Sequence, residues 1–116
     1  MQATPTTTII RVLTATVGQR ASGPFATLVR RMLPILRSQD GLVHVQTARR
    51  LVGPVEEVVV FQEWRDVEAM YAWTGPDIYR PRLLEGAAEL VERLVITHYE
   101  ALDAEAESAA ASARDF

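Results

Sequence analysis

VVVFQEWRDVEAMYAWTG, residues 58–75, holds the change of rhythm from which the fold can be read. Side chains alternate along a strand, so Val58, Val60, Gln62 and Trp64 share one face and Val59, Phe61 and Glu63 share the other. The extended run stops at Trp64. Asp66 then stands where a capping carboxylate belongs, ahead of a short helix, VEAMYAWT. Gly75-Pro76 breaks that helix. Both tryptophans of the chain lie in this segment. The aromatic cluster is therefore either plain core or the wall of a ligand site.

Upstream, GLVHVQTARRL reads as a strand in which Leu42, His44, Gln46 and Ala48 oppose Val43, Val45, Thr47 and Arg49. Gly53-Pro54 is a turn signal, which makes this strand the hairpin partner of the next. Before it, Phe25, Leu28, Val29, Met32, Leu33 and Leu36 recur at the spacing of one helical face. Pro24 suits the first position of that helix. Pro34 predicts a kink or an early end, and Asp40-Gly41 the stop. Thr8 to Val17 is rich in β-branched residues and reads as the first strand. Downstream, Leu83, Leu84, Ala87, Leu90, Val91 and Leu94 predict another amphipathic helix, and VITHYEAL the last strand.

The resulting order is β-α-β-β-α-α-β. It predicts an α+β fold of the ferredoxin-like split βαβ type, with a four-stranded antiparallel sheet and the helices on one face. The domain is expected over residues 8–103, between polar tails at 1–7 and 104–116. Ile10, Val12, Val59 and Phe61 make the second sheet face apolar too. That face needs its own cover, which a second copy of the chain would supply, so a homodimer is expected.

A chain of 116 residues, 48% of them hydrophobic, forms one domain with a real core. A formal net charge of −3 and no basic stripe argue against a nucleic-acid partner. All 12 basic residues are Arg, which removes lysine Schiff-base chemistry, and the lack of Cys removes thiol chemistry. No apolar run approaches the roughly 20 residues that span a bilayer. The opening MQATPTTTII lacks a charged n-region. A cytoplasmic protein with no membrane partner is expected. The two His residues are far apart in sequence and have no cysteines beside them, so no metal site is expected. No glycine-rich phosphate loop is present, and no cofactor is expected.

DGLVHVQTARR, then VVVFQEWRDVEAMYAW, then an aromatic-bearing connection and a final strand resemble the antibiotic biosynthesis monooxygenase family of dimeric α+β barrels. The resemblance spans roughly residues 8–103. It implies a barrel closed across a two-fold axis, with a pocket in each subunit between sheet and helices. It implies oxidation of an electron-rich phenol or anthrone to a quinone by dioxygen, without flavin, haem or metal. Trp64 matches the family's strand-end Trp. The family's Asn four residues earlier is Val60 here. Its Tyr six residues later is Met70, with Tyr71 beside it. In the haem-degrading branch Trp73 has a counterpart, but the axial His position falls on Leu83 and the strand Asn is missing.

On this reading His44, Gln62 and Trp64 are the candidate catalytic residues. His44 acts as the base, since an unperturbed imidazole titrates near ~6.5. Gln46 and Gln62 anchor oxygens. Gln46, Tyr71, Trp73, Tyr79 and Arg82 are candidate substrate contacts, with Tyr79 and Arg82 in a connection over the pocket mouth. His98, beside Tyr99 and Glu100, reads as an edge or interface residue whose imidazole Glu100 would favour in its charged form. The expected ligand is a small aromatic molecule of polyketide type. Two alternatives stand beside oxidation: cyclisation or dehydration of such a substrate without oxygen, and a non-catalytic ligand-binding dimer.

Overall fold

A computed structural model describes residues 7–102. Of the expected tails at 1–7 and 104–116, residues 1–6 and the whole of 104–116 lie outside the described residues. The elements are β1 (Ile9–Gly18), α1 (Gln19–Arg37), β2 (Leu42–Val52), β3 (Val55–Trp64), α2 (Val67–Thr74), a 3-10 turn at Ala88–Leu90, and β4 (Val91–Glu100). The sheet order is β2-β3-β1-β4, antiparallel throughout. This is the expected ferredoxin-like arrangement, with each outer strand reached by a helical crossover.

Period-2 alternation decides what is buried. Along β1, Ile9, Arg11, Leu13, Ala15 and Val17 are buried and their neighbours are not. Along β3 the buried set is Glu56, Val58, Val60, Gln62 and Trp64. Phe25, Val29, Met32 and Leu36 of α1 come down on this face, as their helical spacing requires. Ala69, Met70, Trp73 and Thr74 of α2 complete the cover. Ile10, Val12, Val59 and Phe61 lie half-buried on the opposite face of the sheet.

The α2 boundary matches the sequence reading. Asp66 adopts extended backbone and its carboxylate accepts the Ala69 amide at 2.8 Å, satisfying a first-turn N–H. Gly75 at φ 79° closes the helix.

Three features depart from the sequence reading. Helix α1 begins at Gln19, so Pro24 sits inside it, and it continues past Pro34 to Arg37. The helix expected over residues 83–94 is not formed. Gly86 takes φ 91°, which interrupts any helical run, and only the 3-10 turn follows. Val91 and Leu94 belong to β4 instead. Leu94 pairs with Ala15, and Ile96 with Leu13, so strand pairing overrides a helical spacing that was real in sequence.

The third departure is a β-bulge. Leu42 pairs with Trp64, but His44 pairs with Glu63, so two steps along β2 match one along β3 and Val43 is the extra residue. Without it His44 would oppose Gln62. With it, His44 and Gln46 turn to the face away from the helices.

Candidate functional site

A polar row crosses the helix-covered face near one end of the sheet. Gln62 on β3 is the register partner of Arg11 on β1, and Arg11 is the partner of His98 on β4. Val60, Leu13 and Ile96 flank it on one side; Trp64 and Ile9, with Glu100 at the β4 end, flank it on the other. Arg11 is fully buried at 0% exposure and Gln62 is 2% exposed.

Trp64 Nε1 donates to Gln62 Oε1 at 3.0 Å. That bond fixes the amide and leaves its NH2 as the group Gln62 can offer a ligand. Trp73 of α2 stacks on Trp64, with centroids 6.3 Å apart and planes 29° from parallel. The Arg82 guanidinium lies 4.6 Å above the Trp73 ring and its Nη1 donates to the Trp73 carbonyl at 2.7 Å. One end of the polar row thus has an aromatic wall capped by a cation.

The connection between α2 and the 3-10 turn covers the other end. Arg11 Nη2 donates to the carbonyls of Ile78 at 3.3 Å and Arg80 at 2.8 Å. The Tyr79 ring meets the His98 imidazole edge-on, 5.0 Å between centroids. Beside Trp73 this connection opens into a cavity of about 450 Å³ lined by Ala72, Thr74, Gly75, Arg80, Pro81, Arg82 and Leu83.

The electrostatics of the row are unusual. Among the described residues no carboxylate pairs with Arg11, and burial alone lowers its pKa to about 10, so it stays charged at neutral pH. His98 is pushed below its ordinary value, first by burial and then by the Arg11 charge; the nearby Ile78 carbonyl opposes both only in part. Its imidazole is therefore neutral at pH 7. The expected influence of Glu100 on His98 is not the governing one.

Four buried side-chain atoms of the described residues have no hydrogen-bond partner: Arg11 Nε, Trp73 Nε1, and both ring nitrogens of His98. Buried polar groups are nearly always paired. Here the exceptions cluster in adjoining residues. Arg11 neighbours His98 directly and reaches Trp73 through Gln62 and Trp64.

The expected site residues divide. Gln62, Trp64, Trp73, Tyr79 and Arg82 come together around the row. His44, Gln46 and Tyr71 do not. His44 is exposed on the opposite face, 3.4 Å from Gln46 Oε1 and edge-on to Phe61, and Tyr71 is 44% exposed on the outside of α2. Arg11 was missed. The signal for it was its parity with Ile9, Leu13, Ala15 and Val17, which places an arginine in the most apolar set of β1.

A second cavity, about 360 Å³, lies between α1 and β2, lined in part by Val29, Arg49, Glu56 and Val58. Its buried carboxylate is already paired: Ser22 Oγ donates to Glu56 Oε1 at 2.8 Å and Arg49 reaches Oε2 at 3.4 Å. It offers less unmet chemistry than the polar row. Among the described residues no three His, Asp or Glu side chains gather in a way that could hold a metal ion, and no helix is long and apolar enough to cross a membrane.

No protein-family model matches the chain, and no curated protein matches it in sequence. Solved structures do match. A conserved protein from Methanosarcina mazei Go1 superposes with a TM-score of 0.68 at 16% identity, covering 83% of this chain and 94% of that one. A putative antibiotic biosynthesis monooxygenase from Deinococcus radiodurans gives 0.62 at 20% identity, covering 80% and 91%. One so named from Bacillus cereus gives 0.58 at 21%, covering 83% and 94%. The chain shares the ferredoxin-like α+β fold of these structures. Within that fold the polar row lies on the helix-covered face of the sheet.

Proposed function

We propose that the protein is a cofactor-independent monooxygenase-like enzyme that oxidises an electron-rich aromatic phenol or anthrone to a quinone with dioxygen. The observation that carries this reading is the Gln62–Arg11–His98 row, a half-buried neutral imidazole with both ring nitrogens shielded, beside an unpaired buried guanidinium and next to two stacked tryptophans.

In this reading His98, not His44, is the base. A neutral imidazole takes a proton from the substrate and leaves a phenolate or enolate. Arg11, with the Gln62 amide, stabilises the negative charge in a site where burial strengthens the attraction. Trp64, Trp73 and Tyr79 lie against the rings, and Arg82 holds Trp73 in place. The anion gives one electron to dioxygen and the two radicals join, forming a carbon–oxygen bond. His98 returns its proton to the peroxide, then removes the remaining hydrogen of that carbon as the oxygen–oxygen bond breaks. For an anthrone the sum is CH2 + O2 → C=O + H2O, which balances without an external reductant.

The test is oxygen uptake by metal-free protein with a panel of anthrones and naphthacenones, followed by the absorbance of the quinone. Uptake matched to quinone formation is the expected result. Binding or cyclisation of the substrate with no oxygen consumed would sink the oxidation and leave the cyclase reading.

A further inference from the structure

We infer that the ligand of this site carries a carboxylate in addition to its aromatic rings, and that Arg11 and His98 recognise that group. The inference rests on the proposed location of the substrate site and adds the chemical class of what enters it.

Charge balance is the argument. Arg11 is a fully buried cation, and among the described residues no carboxylate forms an ion pair with it; Glu100, in the next row of the same face, is exposed. Its Nη2 is engaged by two loop carbonyls, which satisfy hydrogen bonding but carry no net charge. Burying an unpaired charge is costly, and a carboxylate is the group whose geometry matches a guanidinium. The unpartnered atoms point the same way. Arg11 Nε and Trp73 Nε1 can only donate, and the His98 ring can donate from either nitrogen once protonated.

Turnover sharpens the requirement. If a neutral phenol gives its proton to His98, two positive charges then sit side by side against one phenolate. A substrate that brings a carboxylate as well makes the assembly neutral at that stage. The carboxylate therefore does two things: it pairs with Arg11, and it makes His98 easier to protonate when the substrate proton must be taken. A substrate without it would leave His98 opposed by the full guanidinium charge.

The experiment measures binding without oxygen chemistry. A hydroxyanthraquinone carboxylate and its methyl ester are titrated into the protein, with quenching of Trp64 and Trp73 fluorescence as the readout. Both compounds are already quinones, so turnover does not enter. The acid is expected to bind at least tenfold more tightly than the ester. Arg11→Met is expected to abolish that preference by bringing the acid's affinity down to that of the ester, and Arg11→Lys to retain part of it. In the wild-type protein, NMR titration of His98 is expected to show its pKa rising when the acid binds and staying put with the ester. This second readout decides the matter even if Arg11→Met does not fold. Equal affinity for the two compounds, no binding of either, or a His98 titration unmoved by the acid overturns the inference. Acetate competing as well as the aromatic acid would overturn its aromatic half. Absence of oxygen uptake alongside an intact acid preference would instead remove the proposed oxidation and leave carboxylate recognition standing.

Discussion

Burial and the Arg11 charge together hold His98 below its ordinary value. His98 is held neutral, so below its ordinary value of 6.5 the unfolded chain takes up a proton that the folded chain resists. The groups facing it are Arg11 from β1 and Tyr79 and the Ile78 carbonyl from the connection; Glu100, two residues along β4 on the same face, is exposed and forms no ion pair with it. Stability is therefore expected to be level above pH 7 and to fall as the pH drops through about 6.5. His98→Gln should flatten that slope in urea unfolding at several pH values. A slope unchanged in the variant would place the titration on another group. Trp64 is 0% exposed and carries both the stack on Trp73 and the bond to Gln62. Trp64→Ala is expected to cost about 3–5 kcal/mol through the cavity it leaves, measured by the same unfolding. Residue identity alone concealed this pair. His98 was visible but its neighbours were not, because its partner Arg11 comes from the far end of the chain and register cannot be read from one strand.

At the scale of elements, most of the fold was legible. The hairpin of β2 and β3, the cap at Asp66 and the two-sided alternation of β1 follow from local chemistry that tertiary packing does not override. The failures have local causes. The expected helix over 83–94 had the right apolar spacing, but Gly86 at φ 91° interrupts it and β4 claims Val91 and Leu94 as strand residues. His44 was placed with Gln62 because alternation was carried straight through Val43, and the bulge there reverses every side chain beyond it. That reversal puts His44 against Phe61 on the open face, away from the polar row. The turn that leads into the bulge is more demanding. Gly41 has φ 90°, its carbonyl accepts the Arg65 amide at 2.7 Å, and a Cβ there would collide with the Ala69 side chain. Gly41→Ala is expected to destabilise by more than about 1 kcal/mol in thermal or urea unfolding, since both backbone strain and the contact oppose it. An unchanged midpoint would mean the turn has another conformation.

For the whole molecule, the two sheet faces divide the work. One is covered by α1 and α2 and holds the polar row. The other leaves Ile10, Val12, Val59 and Phe61 half-buried and Val95 and Tyr99 exposed. This apolar patch is expected to close against a second copy, and Phe61→Glu is expected to convert that dimer to monomers in sedimentation experiments. A dimer that survives the change would have to be built from other surfaces. Composition and charge could say only which chemistries were absent; they could not say which face held the chemistry present. The proposed chemistry belongs to His98 and the covered face, not to His44 and the open one. Oxygen uptake on one responsive anthrone by the wild-type, His98→Gln and His44→Ala proteins separates the two. His44→Ala is expected to keep the wild-type rate and His98→Gln to lose about 100-fold or more, the usual contribution of a positioned base. A rate that survives His98→Gln and collapses in His44→Ala would contradict it.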